Sequence, residues 1–220
     1  MGNFEPYFNA ETKNGIFTEV VRKVFEEMPN YTIDMVFGLS NKELQLSFDK
    51  RILDGVTNVL DFKEDACLTD PVFRFQDVAV TKAHRKIEIN SVSDLKGKKV
   101  VTYQGAKVFW GSQFANAVGS ANYLEIQEPE RQASMLLADR VDVSIGDLFI
   151  FMNALQTDTE FEATLEDFTV HEIFPQKFSY MAFRDPQTCK AFNQALRKLK
   201  KSGEYELIYL RYLQKFGYQS

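Results

Sequence analysis

The chain has little of what most active sites are made from. Its 220 residues include two cysteines, two histidines and one tryptophan. His84 and His171 lie far apart and lack ligand-like spacing to any partner, which argues against a metal site. There is no phosphate-cradling glycine loop, no nucleophile elbow and no cysteine–histidine signature, so no cofactor or covalent chemistry is implied. No apolar run approaches the roughly 18 residues of a membrane span. No secretory leader opens the chain either, and Met1-Gly2-Asn3 runs almost directly into Pro6-Tyr7, as in a processed or trimmed chain. Cys67 and Cys189 could form one disulfide, but spacing alone cannot show that they meet, and buried free thiols are the plainer expectation.

What is present is ordinary globular material. The chain is 45% hydrophobic and 26% charged, enough for a sizeable core in one or two domains. Net charge is −5. The short basic clusters at 82–86 and 96–99 are broken by apolar or neutral residues and read as solvated loops. No broad basic field exists, so nucleic acid is not an expected partner.

Periodicity predicts a helix over 15–28, with Ile16, Val20, Val21, Val24 and Phe25 on one face. Tyr31, Ile33, Met35 and Phe37 alternate as in a strand. A helix over 41–48 and a short strand over 51–56 follow. A second series adds strands at 78–80, 99–103, 123–126 and 141–145. Its helices fall at 109–118, 131–139 and from Leu148, with a capped turn at 91–97. Strands at 170–174 and 179–183 precede two tail helices that break at Gly203. Alternating helix and strand implies α/β architecture with parallel strands and crossover helices.

Five stretches carry a resemblance to a known family. They are Phe4-Glu5-Pro6-Tyr7 with Gly15, then Leu68 to Phe73 around Asp70-Pro71, then Ser91 to Lys98 followed by Val100 to Gly105. Next come Leu137, Arg140, Val141, Asp142 and Asp147, and last the tail with Phe192-Asn193, Ser202-Gly203, Tyr205 and Tyr212. In this order, over about 200 residues, the chain resembles the periplasmic amino-acid-binding proteins of ABC transporters. The resemblance implies a two-lobed type 2 periplasmic-binding-protein fold, each lobe a mostly parallel sheet flanked by helices. Lobe 1 would be discontinuous, 1–80 plus 180–220, and lobe 2 would span 84–178. Two hinge strands, near 78–84 and 179–183, would join them. The family's first strand normally precedes the Pro-Tyr loop and is almost missing here. Either the chain begins late or the first sheet is completed another way.

The resemblance and the general rule for α/β sheets point to the same ends of the strands. Ligands sit beyond the carboxyl ends of strands in such sheets, where Tyr103-Gln104-Gly105 and Gly146-Asp147 lie. Gly105 permits close backbone approach, so nearby N–H groups can face a ligand. Asp147 reads both as an acceptor for a cationic group and as the N-cap of the helix from Leu148. Gly55 and Thr57 match the family's ligand-lining loop, and Phe4 matches an aromatic that packs on the ligand. The family's carboxylate-gripping arginine falls on Phe62 here, and a common donor threonine falls on Ala106. Phenylalanine cannot form the bidentate pair of a guanidinium. Either Lys63, Arg74 or Lys107 substitutes, or the ligand is not a standard α-amino acid. Phe4, Phe62 and Tyr103 would then form an aromatic slot suited to a flat or cationic molecule.

The implied function is extracytoplasmic capture of a small polar molecule, an amino acid or related amine, by hinge closure. A monomer that serves an ABC transporter's membrane component is the implied setting. The alternatives are the sensing domain of a membrane receptor, or a cyclohexadienyl-dehydratase-like enzyme that acts on prephenate-like acids through Asp147 or Glu172.

Overall fold

The computed structural model describes residues 4–59, 66–119, 122–157 and 163–218. The chain folds into two compact units, one of residues 1–74 with 177–215 and one of 75–176 with the C-terminal residues from Phe216. The chain passes from one unit to the other at 74/75, 176/177 and 215/216.

Unit 1 opens with a tight loop against helix α1, Ile16–Glu26. Gly15 begins this helix at φ 129°, and a Cβ there would lie 2.3 Å from the Tyr7 carbonyl oxygen, so only glycine fits. The buried stripe of α1 is Ile16, Phe17, Val20, Val21 and Val24, and Phe17 stacks on Phe73 with ring centroids 4.2 Å apart. Helix α2, Asn41–Asp49, starts with a capping box in which Ser40 and Glu43 satisfy each other's backbone N–H groups. Strands β1 (Gly55–Val59), β2 (Cys67–Leu68) and β3 (Phe73–Phe75) all pair with one returning strand, β9 (Lys177–Phe183). Helices α6 (Pro186–Lys201) and α7 (Glu204–Lys215) then pack on α1.

Unit 2 holds a five-stranded sheet. Its strands are β4 (Asp77–Lys82), β5 (Val100–Tyr103), β6 (Tyr123–Ile126), β7 (Val143–Asp147) and β8 (Phe168–His171), in the order β6-β5-β7-β4-β8. Its helices are α3 (Ala106–Val118), kinked at Gly111, α4 (Arg131–Leu137) and α5 (Leu148–Thr157). Ala79, Leu95, Val100, Val143, Ile145, Phe114 and Phe174 form the core.

Three expectations need correction. The sheets are not mostly parallel: β5 runs parallel to β6 and β7, but β4 is antiparallel to both β7 and β8, and β9 is antiparallel to β1 and β2. In unit 1 the antiparallel pairing belongs to β9, the strand on which the chain returns from unit 2. Residues 31–37 alternate in burial as a strand would, yet belong to neither sheet among the described residues. The strand expected over 51–56 starts only at Gly55, because Arg51 takes a left-handed turn at φ 61°. The helix over 15–28, the strand over 123–126 and the break at Gly203 fall where periodicity put them.

The cysteines are not free thiols. Cys67 on β2 and Cys189 on α6 form a disulfide across 122 residues of sequence. Cys189 is buried because it belongs to the core stripe of α6, and that burial is what made a lone thiol plausible. A loop this long loses much chain entropy when crosslinked. The C67A/C189A double variant should therefore be ~2–5 kcal/mol less stable than the parent. Urea denaturation of both proteins checks this, and reductant should lower the midpoint of the parent alone.

Candidate functional site

The carboxyl end of β5, the carboxyl end of β7 and the start of the antiparallel β4 meet at one edge of the unit 2 sheet. This places Tyr103, Asp147 and Asp77 together, with Asp77 directly opposite Asp147 in the β4–β7 register. Both aspartates are 8% exposed. A buried carboxylate must be hydrogen-bonded, and each has found donors.

Asp147 Oδ1 accepts from the N–H groups of Phe149 (3.0 Å) and Ile150 (3.2 Å), and Oδ2 accepts from Gln76 N–H (3.1 Å). Of its two sequence readings, the helix cap is thus the one seen. Asp77 Oδ2 accepts from the Tyr103 hydroxyl at 2.6 Å and from Trp110 Nε1–H at 3.2 Å. Trp110 Nε1 also lies 2.9 Å from the Tyr103 oxygen. Burial and the adjacent Asp77 charge raise the Tyr103 pKa well above the usual phenol range, so this hydroxyl stays a donor. Phe109 packs edge-on to Tyr103 and Trp110, and Phe174 packs on Trp110. The result is an acid set in four aromatic rings.

The turn after β5 differs from expectation. Gly105, at φ 86°, does turn backbone N–H groups toward an anion. The anion is Glu125 of β6: its carboxylate accepts from Gly105 N–H (2.9 Å), Lys107 N–H (3.3 Å) and the Tyr123 hydroxyl (2.6 Å). The Tyr123 hydroxyl, then the Gly105 N–H, then Lys107 hold its pKa below the ordinary glutamate range. Ala106 is fully buried in the core. Neither cation proposed to replace the missing arginine is idle. Arg74, in unit 1, bonds Glu206 and lies over the Tyr209 ring, and Lys107 donates to the Gly119 carbonyl and lies over Tyr123. Phe62 and Lys63 lie outside the described residues.

The other expected residues belong to unit 1. Phe4 packs with Tyr7, Phe8 and Phe17. Gly55 and Thr57 line a groove of about 700 Å³. Thr57 is buried, and its Oγ1 has no hydrogen-bond partner among the described residues. Within unit 2 the structure thus brings together Tyr103 and Asp147 and adds Asp77, Trp110 and Glu125, which the sequence reading missed. Two signals pointed to them: an acid heading the Val-Ala-Val run, and Tyr123 and Glu125 on one face of a period-two strand.

Two variants test these bonds. Tyr103→Phe removes a donor from buried Asp77 and should cost about 1–3 kcal/mol in urea unfolding. For Glu125, a folded pKa below the unfolded one contributes stability above about pH 4.5 that is lost as pH falls through the folded value. The parent should therefore lose stability between pH 5 and pH 3 more steeply than E125Q, as read from unfolding midpoints across that range (roughly one unit either side of the carboxylate pKa).

No protein-family model matches the chain, and no curated protein matches it in sequence. Solved structures do. The GluR0 ligand-binding core in complex with L-glutamate is 20% identical, with 97% of this chain and 95% of that one covered at TM-score 0.71. An ABC uptake transporter substrate-binding protein from Streptococcus pneumoniae with bound histidine is 20% identical, with 96% and 89% covered at TM-score 0.66. A histidine kinase sensor domain with similarity to periplasmic binding proteins is 18% identical, with 96% and 93% covered, also at 0.66. With two sheets flanked by helices and near-complete coverage by these structures, the chain has the periplasmic-binding-protein fold.

Proposed function

We propose that the chain is an extracytoplasmic solute-binding protein, not an enzyme, and that its ligand is a small amine held at the acid–aromatic cluster of unit 2. The observation that carries this is Asp77, buried among Tyr103, Trp110 and Phe109. Negative charge and π faces together suit an ammonium group. Recognition of a carboxylate lacks equivalent support, since the N–H groups of Gly105 and Lys107 already bond Glu125. The likeness to proteins solved with glutamate and histidine supports a ligand of that size.

In this reading the ligand's cation docks on Asp77, Asp147 sets the floor by fixing α5, and capture follows by hinge closure. Closure gains only from contacts that the open form lacks. A monomer delivering its ligand to an ABC transporter's membrane component is the setting we propose. The likeness to a sensor domain favours a second setting, ligand sensing for a membrane receptor, with the same site chemistry.

The test uses pairs of amino acids and the amines formed from them by decarboxylation. Calorimetric titration should show tyramine and histamine binding at least about tenfold more tightly than tyrosine and histidine, and D77N should weaken the amines by about tenfold or more. Circular dichroism confirms that D77N stays folded. Tighter binding of the amino acids than of their amines would overturn the proposal.

A further inference from the structure

Asp77 Oδ2 already holds two donors. It accepts from the Tyr103 hydroxyl at 2.6 Å and from Trp110 Nε1–H at 3.2 Å, and the indole nitrogen also lies 2.9 Å from the Tyr103 oxygen. An ammonium group that bonds this oxygen has to take a place that one of them holds. The neighbouring acid offers no such exchange. The donors of Asp147 are the backbone N–H groups of Gln76, Phe149 and Ile150, which leave only if backbone moves. The two donors of Asp77 are side chains, and they are held differently. Tyr103 is the last residue of β5 and is still paired there with Ile126 of β6. Trp110 directly precedes Gly111, whose backbone at φ 76° and ψ −167° breaks α3. That conformation is open to glycine and costly to other residues. A Cβ on Gly111 would meet nothing within 4 Å, so there is space around the break.

The part of α3 before the break is too short to hold a helix by itself. Its anchors lie at its start, where Glu125 accepts from the Gly105 and Lys107 N–H groups and Ala106 is fully buried. Beyond them Val108 is 89% exposed and Phe109 44% exposed. The indole is thus the donor with the longer bond and the looser support. It is also neutral, and an ammonium group brings to the carboxylate a full charge that an indole lacks. We infer that Trp110 is a displaceable stand-in for the ligand: its N–H holds Asp77 until the ligand's ammonium group takes its place, and the indole then turns its ring face to the cation. This rests on the amine reading of the cluster. A bond that exists only in the unliganded form subtracts from affinity. The indole N–H therefore restrains binding, although the ring belongs to the wall of the site.

The probe is histamine, and the variant is Trp110→Phe, which keeps a ring and removes the N–H. If Trp110 served only as a wall, trimming it would weaken binding. Loss of a competing donor has the opposite sign. Calorimetric titration should show W110F binding histamine about threefold or more tightly than the parent does. Circular dichroism checks that W110F is folded. A second measurement needs no variant. Trp110 is the chain's one tryptophan, so the parent has a single indole N–H proton resonance. Saturating histamine should move that resonance upfield, as for a proton released from a carboxylate. Weaker or unchanged binding by folded W110F, or a resonance that stays in place at saturation, overturns the inference and leaves the amine reading standing. If neither protein binds histamine at millimolar concentration, both are overturned.

Discussion

Unit 1 is held together by β9. The first segment of the chain supplies β1, β2 and β3, and each pairs with this one strand from the second segment. The connections around it work the same way. Asp70 N–H donates to Asn193 Oδ1, Arg74 N–H to the Tyr209 hydroxyl, the Tyr205 hydroxyl to the Val72 carbonyl, and the disulfide joins β2 to α6. Residues 67–74 make little regular structure of their own. Thr69 and Val72 N–H donate to carbonyls of β9, and Asp70 and Arg74 N–H to side chains of α6 and α7, so the segment takes its shape from parts of the chain far away in sequence.

Unit 2 solves a different problem. Its sheet buries two aspartates side by side, where uncompensated charge would be prohibitive. The antiparallel β4 makes this workable, because its first residue lies beside the last residue of β7. Asp147 is then satisfied by the helix that follows it, and Asp77 by the Tyr103 hydroxyl at the end of β5 and the Trp110 indole of α3. The two acids are equally buried but differently engaged: one holds backbone in place, and the other is bonded by a phenol and an indole.

Much of this was legible in the sequence. The α1 stripe, the Ser91 cap and the Gly203 break are local signals, and local signals survive folding. What could not be read depends on partners distant in sequence. Alternation over 31–37 reports which side chains are buried but not whether a neighbouring strand exists. Cys67 and Cys189 meet only because β2 and α6 share β9 as a neighbour. Phe4, Gly55 and Thr57 lie in unit 1 and Tyr103 and Asp147 in unit 2, and the resemblance alone groups them as one ligand site. Asp77 and Trp110 lie 33 positions apart, and no spacing rule links an acid at a strand start to an indole on a kinked helix.

Glu125 carries a further consequence. Its carboxylate is bound to the turn that closes β5, and it is tethered there by the strand next door. A tethered group competes at an effective concentration that a dissolved solute seldom reaches. Any free carboxylate seeking the same N–H groups must first evict a resident that cannot diffuse away. Those N–H groups are thus held by the chain's own carboxylate, a resident that a dissolved one would have to outcompete.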